Sequence, residues 1–398
     1  LIYERLYSTF SAEDKCTLFA DRNFINRRNV SADTKHSYAQ NKQMFMLAME
    51  ARVTAAAMTI LGMKDINGNP SQLEYKFHLT DTADKHLKKK YLRELASSIV
   101  DQFILDKLST DEILSKLHKS IEEDRLAKSL LQPDGRYSCR FPACKKTFKY
   151  FGKSMKKHEV QCHNFHTDME EIDSIPEKES DDVFNYQCNL LNHGLLYANF
   201  RDAISEGDGE RIIRCWKFLL LHFYADGGSS TKYAVEALFL QFQQQALLSP
   251  RQAYLQKWNR SVYRHAALGK NVPFDLDLEH DNNHLKEAMR KLGPNVSESS
   301  VSRICGSLKI ARETIENISR ECQVMKRSGE HFVASVKKDY DKLVENLINN
   351  NAFLFSNQRK YKNFTNCKRS ALHNLNMAEM CRWINQHKHE IKIGRTAR

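Results

Sequence analysis

Residues 136–163 read RYSCRFPACKKTFKYFGKSMKKHEVQCH, and the order Tyr137, Cys139, Cys144, Phe148, Met155, His158, His163 sets the first expectation about the fold. Zinc takes four nitrogen or sulphur ligands in a tetrahedron; a short hairpin brings two thiolates together, and a following helix presents two imidazoles on one side. The spacing therefore predicts a ββα zinc finger of the two-Cys, two-His type, with Cys139, Cys144, His158 and His163 as the metal ligands. A segment of fewer than about thirty residues cannot fold on an apolar core alone. The metal is expected to supply much of the folding free energy, with Tyr137, Phe148 and Met155 as the small core beside it. Thirteen residues separate Cys144 from His158, one more than in the commonest finger of this type, which leaves the helix start open. Cys162 adjoins His163 and is an alternative fourth ligand, because either spacing between the last two ligands is permitted.

Around these ligands stand Arg136, Arg140, Lys145, Lys146, Lys149, Lys153, Lys156 and Lys157 against Glu159, a local charge of +7. Such a surface attracts phosphate. A finger of this kind reads about three base pairs from the first turns of its helix, so one finger cannot select a genomic site. Phe151 and Gly152 stand where base contacts are usually made, which favours contact with the nucleic-acid backbone or with a protein. Lys153, Lys156 and Lys157 are the candidate nucleic-acid contacts, with DNA ahead of RNA as the partner.

The whole chain agrees with that charge. Its 398 residues hold 61 Lys plus Arg against 49 Asp plus Glu, a net charge of +12, which suits a polyanionic partner. Ten cysteines are too few for a disulfide scaffold and read as reduced thiols, so the nucleus is expected, with the cytoplasm as the alternative. The amino terminus has no signal-peptide pattern, and Leu1 in place of an initiator methionine leads us to expect a longer parent chain. The richest apolar stretch, Ile212 to Tyr224, is broken by Arg214, Lys217 and His222, so no membrane span is expected.

Glycine (14) and proline (7) are scarce, which favours long helices over turn-rich sheets and predicts a mostly α fold. Met44, Phe45, Ala48, Ala51, Ala55, Met58 and Leu61 recur at three- and four-residue steps and predict a helix over 39–63, ended by the Asn67 to Pro70 turn cluster. A second helical block spans 81–131 and is split near Ser109, where Glu112 completes a capping box. The resulting division is a helical N-terminal region (1–132), the finger (133–166), an acidic linker (167–182) and a C-terminal α-helical domain (183–398). The linker segment from Asp168 to Asp182 has eight acids against Lys178 and reads as a solvated hinge. In the last domain Ser249, Pro250 and Gln252 predict a capped helix start, and further helices are expected over 283–292, 298–324, 331–350 and 377–388. Trp216, Trp258 and Trp383 fall in helical periods and are expected in the core.

Two weaker constellations remain. Asp275, Asp277, Glu279 and Asp281 with His280 and His284 offer oxygen-rich ligands for Mg²⁺, as in a nuclease or transposase. The plainer reading is an acidic loop entering a helix from about Asn282, where the helix dipole stabilises negative charge. Gly207 to Glu210 reads as a loop ahead of a helix, without a phosphate cradle. The tail from Ser356 to Arg398 carries ten basic residues and two acids.

The stretches GDGERIIRCWKFLLLHFYADGGSSTKYAVEALFLQFQQQALLSPRQAYLQKWNRSVYRH (207–265) and NVPFDLDLEH (271–280) resemble a large uncharacterised animal family with more distant fungal relatives. RNFINRRNVSAD (22–33) and DGRYSCRFPACKKTFKYFGKSMKKHE (134–159) are similar to the same family, many of whose members carry one two-Cys, two-His finger ahead of this domain. Matching positions are Gly207, Asp208, Arg211, Trp216, Tyr233, Glu236, Ser249, Pro250, Trp258, Asp275, Glu279 and His280. The multiplicity of such proteins within genomes implies descent from a mobile element. Three functions are thus expected in order: a zinc-finger protein that associates with nucleic acid, a fragment of a Mg-dependent transposase or nuclease using Asp275, Glu279 and His280, and a protein-interaction module with a structural finger.

Overall fold

The computed structural model of the chain describes residues 7, 13–34, 37–71, 84–105, 110–164, 180–263, 269, 271–322, 336–363, 367–370, 372 and 375–392. Among these residues run thirteen α-helices and two small antiparallel sheets, so the fold is mostly α, as the composition predicts. Helix α1 is Leu18–Phe24 and α2 is Tyr38–Leu61; α3, Lys85–Ile99, continues into a π-helical turn at Val100–Ile104, and α4 is Thr110–Leu130. Strands β1, Tyr137–Ser138, and β2, Thr147–Phe148, precede α5, Lys153–His163. The chain continues with α6 (Asp182–Glu206), α7 (Gly209–Asp226), α8 (Thr231–Phe242) and α9 (Pro250–Trp258). Strands β3, Ser261–Tyr263, and β4, Asn271–Pro273, lead into α10 (Phe274–Leu292), followed by α11 (Glu298–Glu321), α12 (Val336–Asn349) and α13 (Met377–Lys392).

These elements form two compact units. The first comprises Leu1–Tyr197, Trp216–Phe242 and Lys337–Arg398; the second comprises Ala198–Cys215 and Gln243–Val336. At the centre of the first unit lies α2, whose Met44, Phe45, Ala48, Ala51, Ala55 and Met58 are buried with Leu18 of α1, Leu190 of α6 and Leu343 of α12. The helix stops at Gly62, whose positive φ of 65° lets its N–H turn back to the carbonyls of Met58 and Thr59. By length and mean hydropathy (1.5) this helix, rather than Ile212 to Tyr224, is the segment that matches a membrane span, yet 67% of that window is buried inside the fold. It is the core helix of the unit. Arg52 sits on it fully buried and pairs with Asp21 of α1 at 2.7 Å.

The end of the acidic linker corrects one expectation. Residues 165–179 lie outside the described residues, but Asp181 and Asp182 are buried rather than solvated. Asp181 accepts the Phe184 N–H (3.0 Å) at the start of α6 and the Ser356 N–H (2.8 Å), and pairs with Arg359. Asp182 accepts the N–H groups of Tyr361 (3.2 Å) and Cys367 (3.0 Å). Both carboxylates satisfy backbone donors that would otherwise be buried without partners, which offsets the cost of taking them out of water.

In the second unit α9 begins with the expected capping box: Ser249 accepts from the Gln252 backbone and the Gln252 side chain reaches back to the Ser249 N–H. Asp208 likewise caps α7, accepting the Arg211 N–H at 3.0 Å. At Gly209 a Cβ would stand 2.1 Å from the Lys257 carbonyl oxygen, so the approach of those two backbones requires glycine there. The β3–β4 hairpin, with Val262 opposite Val272, was not expected. Nor was the early start of α10 at Phe274, which turns the supposed acidic loop into helix. Pro273 precedes that first turn, and Asp275 and Asp277 lie within it, where the helix dipole favours them. Of the three tryptophans, Trp383 is buried and Trp216 packs against Leu220 and Leu238, whereas Trp258 is 38% exposed and is not a core residue.

Candidate metal centre

The β1–β2 hairpin pairs Tyr137 with Phe148 and Ser138 with Thr147, and the chain between the strands carries both cysteines. The Cys139 N–H donates to the Lys146 carbonyl (3.2 Å), and the Cys144 N–H closes a turn onto Phe141 (2.9 Å), so both sulphurs face α5. From α5 come His158 and His163, and the helix ends at Asn164 in the left-handed region (φ 50°). One ligand atom from each of Cys139, Cys144, His158 and His163 lies within 4.8 Å of the other three. Cys144 Sγ is 3.4 Å from His158 Nε2, which is 3.2 Å from His163 Nε2. Phe141 stacks on His163 with planes 12° apart and shields that side. Behind the cluster the buried Glu159 carboxylate accepts the Arg140 backbone N–H (3.1 Å) and its guanidinium (2.9 Å), fastening the cysteine turn to the helix.

The electrostatics suit ligation. Desolvation, Lys146 and His163 together hold the His158 imidazole below the ordinary histidine value, which leaves it neutral with a lone pair at pH 7. Burial pushes the Cys139 thiol up, so a thiolate there calls for a neighbouring cation. These four residues could hold a metal ion.

Residues 1–331 match the model of a family of unknown function, DUF6589. The chain belongs to DUF6589. No curated protein and no solved structure matches it.

In this DUF6589 chain the cluster gathers His163 and leaves out Cys162. Cys162 is exposed and lies outside the cluster, because one residue along a helix rotates the side chain by about 100°. A thiol-labelling experiment tests this. Maleimide should modify the exposed Cys162, Cys305, Cys322 and Cys381 in the metal-loaded chain. It should spare Cys139 and Cys144 until a chelator is added. Cys16 and Cys188, whose thiols burial pushes up to about 12, should stay unmodified throughout. Labelling of His163-adjacent Cys162 only after chelation would reverse the ligand assignment.

The predicted nucleic-acid contacts fall in different surroundings. Lys157 is exposed, Lys156 is half-buried and pairs with Glu123 of α4 at 3.5 Å, and the Lys153 side chain lies outside what is described. Phe151 and Met155 are buried with Ala127 of α4, so the small core reaches beyond Tyr137 and Phe148 into a neighbouring helix. Sequence spacing could not reveal that contact, because α4 precedes the finger and shows no ligand pattern.

The four carboxylates of the acidic stretch do not share one side of their helix. On α10, Asp275 and Glu279 lie one turn apart on one side, and Asp277 and Asp281 lie on the other. Asp275 and Glu279 are exposed, the His280 side chain lies outside what is described, and among the described residues the cluster of metal-ligating type is the Cys/His one.

Proposed function

We propose that this chain is a zinc-binding finger protein, descended from a mobile element, that associates with nucleic acid in the nucleus through phosphate contacts. The observation that carries the zinc assignment is the size of the ligand cluster. A tetrahedron with Zn–N near 2.05 Å and Zn–S near 2.3 Å has N···N edges of about 3.3 Å and S···N edges of about 3.6 Å. The spacings of 3.2 and 3.4 Å among His163, His158 and Cys144 are close to those edges. Two thiols and two imidazoles are also a donor set suited to this borderline-soft ion.

The net charge of +12 and the exposed Lys145, Lys146 and Lys157 beside the ligands support the nucleic-acid reading. Backbone contact is favoured over base reading, because Phe151 and Gly152 at the helix start are buried. DNA is the preferred partner by analogy with the finger type, and descent from a mobile element rests on the family resemblance. The same burial favours the second reading, a finger that serves as a protein contact.

Binding of the zinc-loaded chain to labelled duplex DNA across a salt series tests this. Each phosphate contact contributes about 0.9 to the slope of log K against log salt. Replacing Lys145, Lys146 and Lys157 by glutamine should lower that slope by about 2 to 3 and weaken binding on any sequence alike. Binding that is absent, or indifferent to salt and to this variant, would leave the protein-contact reading in its place.

A further inference from the structure

In a DNA-bound finger the start of the helix enters the major groove. Here the chain leading into α5 is already occupied by α13. The Tyr150 ring stacks on His387, with centroids 5.8 Å apart and planes 4° from parallel, and packs against the apolar cluster to which Met380 and Trp383 belong. Lys149 pairs with Glu390 at 2.9 Å, and the Gln386 side chain donates to the Lys149 carbonyl at 2.9 Å. The Arg382 guanidinium lies over the Phe151 ring, 5.0 Å from its centroid. At Gly152 a Cβ would stand 2.7 Å from Glu379 Oε1, so the absence of a side chain lets the α13 carboxylate approach the helix start.

The charges are complementary. Residues 356–398 hold ten basic side chains and two acids, and those two acids, Glu379 and Glu390, are the ones that lie at the finger. Arg382 extends the match by reaching Asp124 of α4 at 3.5 Å. A duplex approaching this end of α5 would meet carboxylates and would have to displace α13.

We propose that the finger is a metal-dependent clamp: the surface from Lys149 to Gly152 is the docking site for α13 of the same chain, and the metal holds that surface in shape. The clamp rests on the metal reading above and is independent of nucleic-acid binding. Lys149 to Gly152 join β2 to α5, and the four ligands add to the Arg140–Glu159 pair and the small apolar core in holding the hairpin against the helix. Losing the ion frees this connection, and with it one wall of the α13 seat. Helix α13 then keeps its contacts with α4 and α8, with fewer partners to resist local opening.

Hydrogen exchange read by mass spectrometry on the full chain tests the clamp, with zinc content measured in parallel. Chelation should speed exchange in 377–392 by at least about tenfold, together with 137–163, while the α2 peptide 44–60 stays unchanged. The variant Gln386→Ala with Glu390→Gln, which touches no ligand, should keep one zinc per chain and still speed exchange in 377–392. The finger-side variant Lys149→Ala with Tyr150→Ala should do the same. If chelation loosens 137–163 and leaves 377–392 as protected as before, or if both seam variants keep full protection, the clamp is wrong. If the chain takes up no metal, the metal reading and the metal dependence of the clamp fail together. Faster exchange in the seam variants would then still locate the docking surface.

Discussion

On the proposed zinc assignment, exchanging Cys144 for serine should bring the bound zinc from one per chain to none and unfold residues 137–163 while the core around α2 stays folded. The magnitude follows from the size of the segment. Structural zinc sites in finger peptides have apparent binding free energies of about 10–16 kcal/mol at pH 7, and that binding energy is folding energy. Against it, the apolar support beside the ligands is small: Phe151, Met155 and Ala127 are buried, and Leu126, Leu130, Tyr137 and Phe148 are partly so. At about 1.5–3 kcal/mol per buried large side chain, before the cost of ordering the backbone, these contacts do not replace the ion. Metal analysis and limited proteolysis check the result. One retained zinc per chain would remove Cys144 from the ligand set, and unchanged resistance to proteolysis over 137–163 after zinc is lost would show that the segment is held by packing alone.

Replacing Arg52 by methionine should cost about 3–5 kcal/mol of stability, because it leaves a buried carboxylate without its partner. Arg52 and Asp21 are both fully buried, 2.7 Å apart. The guanidinium also donates to the Gln187 side chain (2.8 Å) and to the carbonyls of Cys16 (2.7 Å) and Ala48 (3.1 Å). Adding Asp21→Leu should recover much of the loss, since an apolar pair of similar volume carries no unpaired charge. Urea midpoints of the two variants and the parent make the comparison.

The pH dependence has a definite sign. Burial already raises the Asp21 carboxyl above its ordinary value despite Arg52, and without Arg52 it rises further. A carboxyl whose folded value lies above its unfolded value binds protons more readily in the folded state. The deficit of the single variant should therefore shrink as the pH falls through the folded value toward about 4. A deficit that grows on acidification would refute the account of a stranded carboxylate.

Much of this was legible in local spacing. The positions of Cys139, Cys144, His158 and His163 lie within one short stretch, and a hairpin followed by a helix brings their ligand atoms together with few alternatives. The α2 helix and the Ser249–Gln252 capping box were equally readable, because 3.6-residue periodicity and a cap three residues from its partner are properties of adjacent residues.

Other features depend on residues far apart in the chain. Arg52 stands out in an apolar helix, but its partners Asp21 and Gln187 lie 31 residues before it and 135 after it. Asp181 and Asp182 end a run of acids that composition assigns to solvent, and only the return of the distant Ser356, Tyr361 and Cys367 supplies the N–H groups they accept from outside α6. The helix start of the finger looks free in sequence, and α13 reaches it from more than 200 residues away: Gln386 bonds to Lys149 across 237 positions. Periodicity and ligand count act within a few turns of chain and need no partner, whereas a buried charge or a docked helix is settled by whichever distant surface arrives with matching shape and charge.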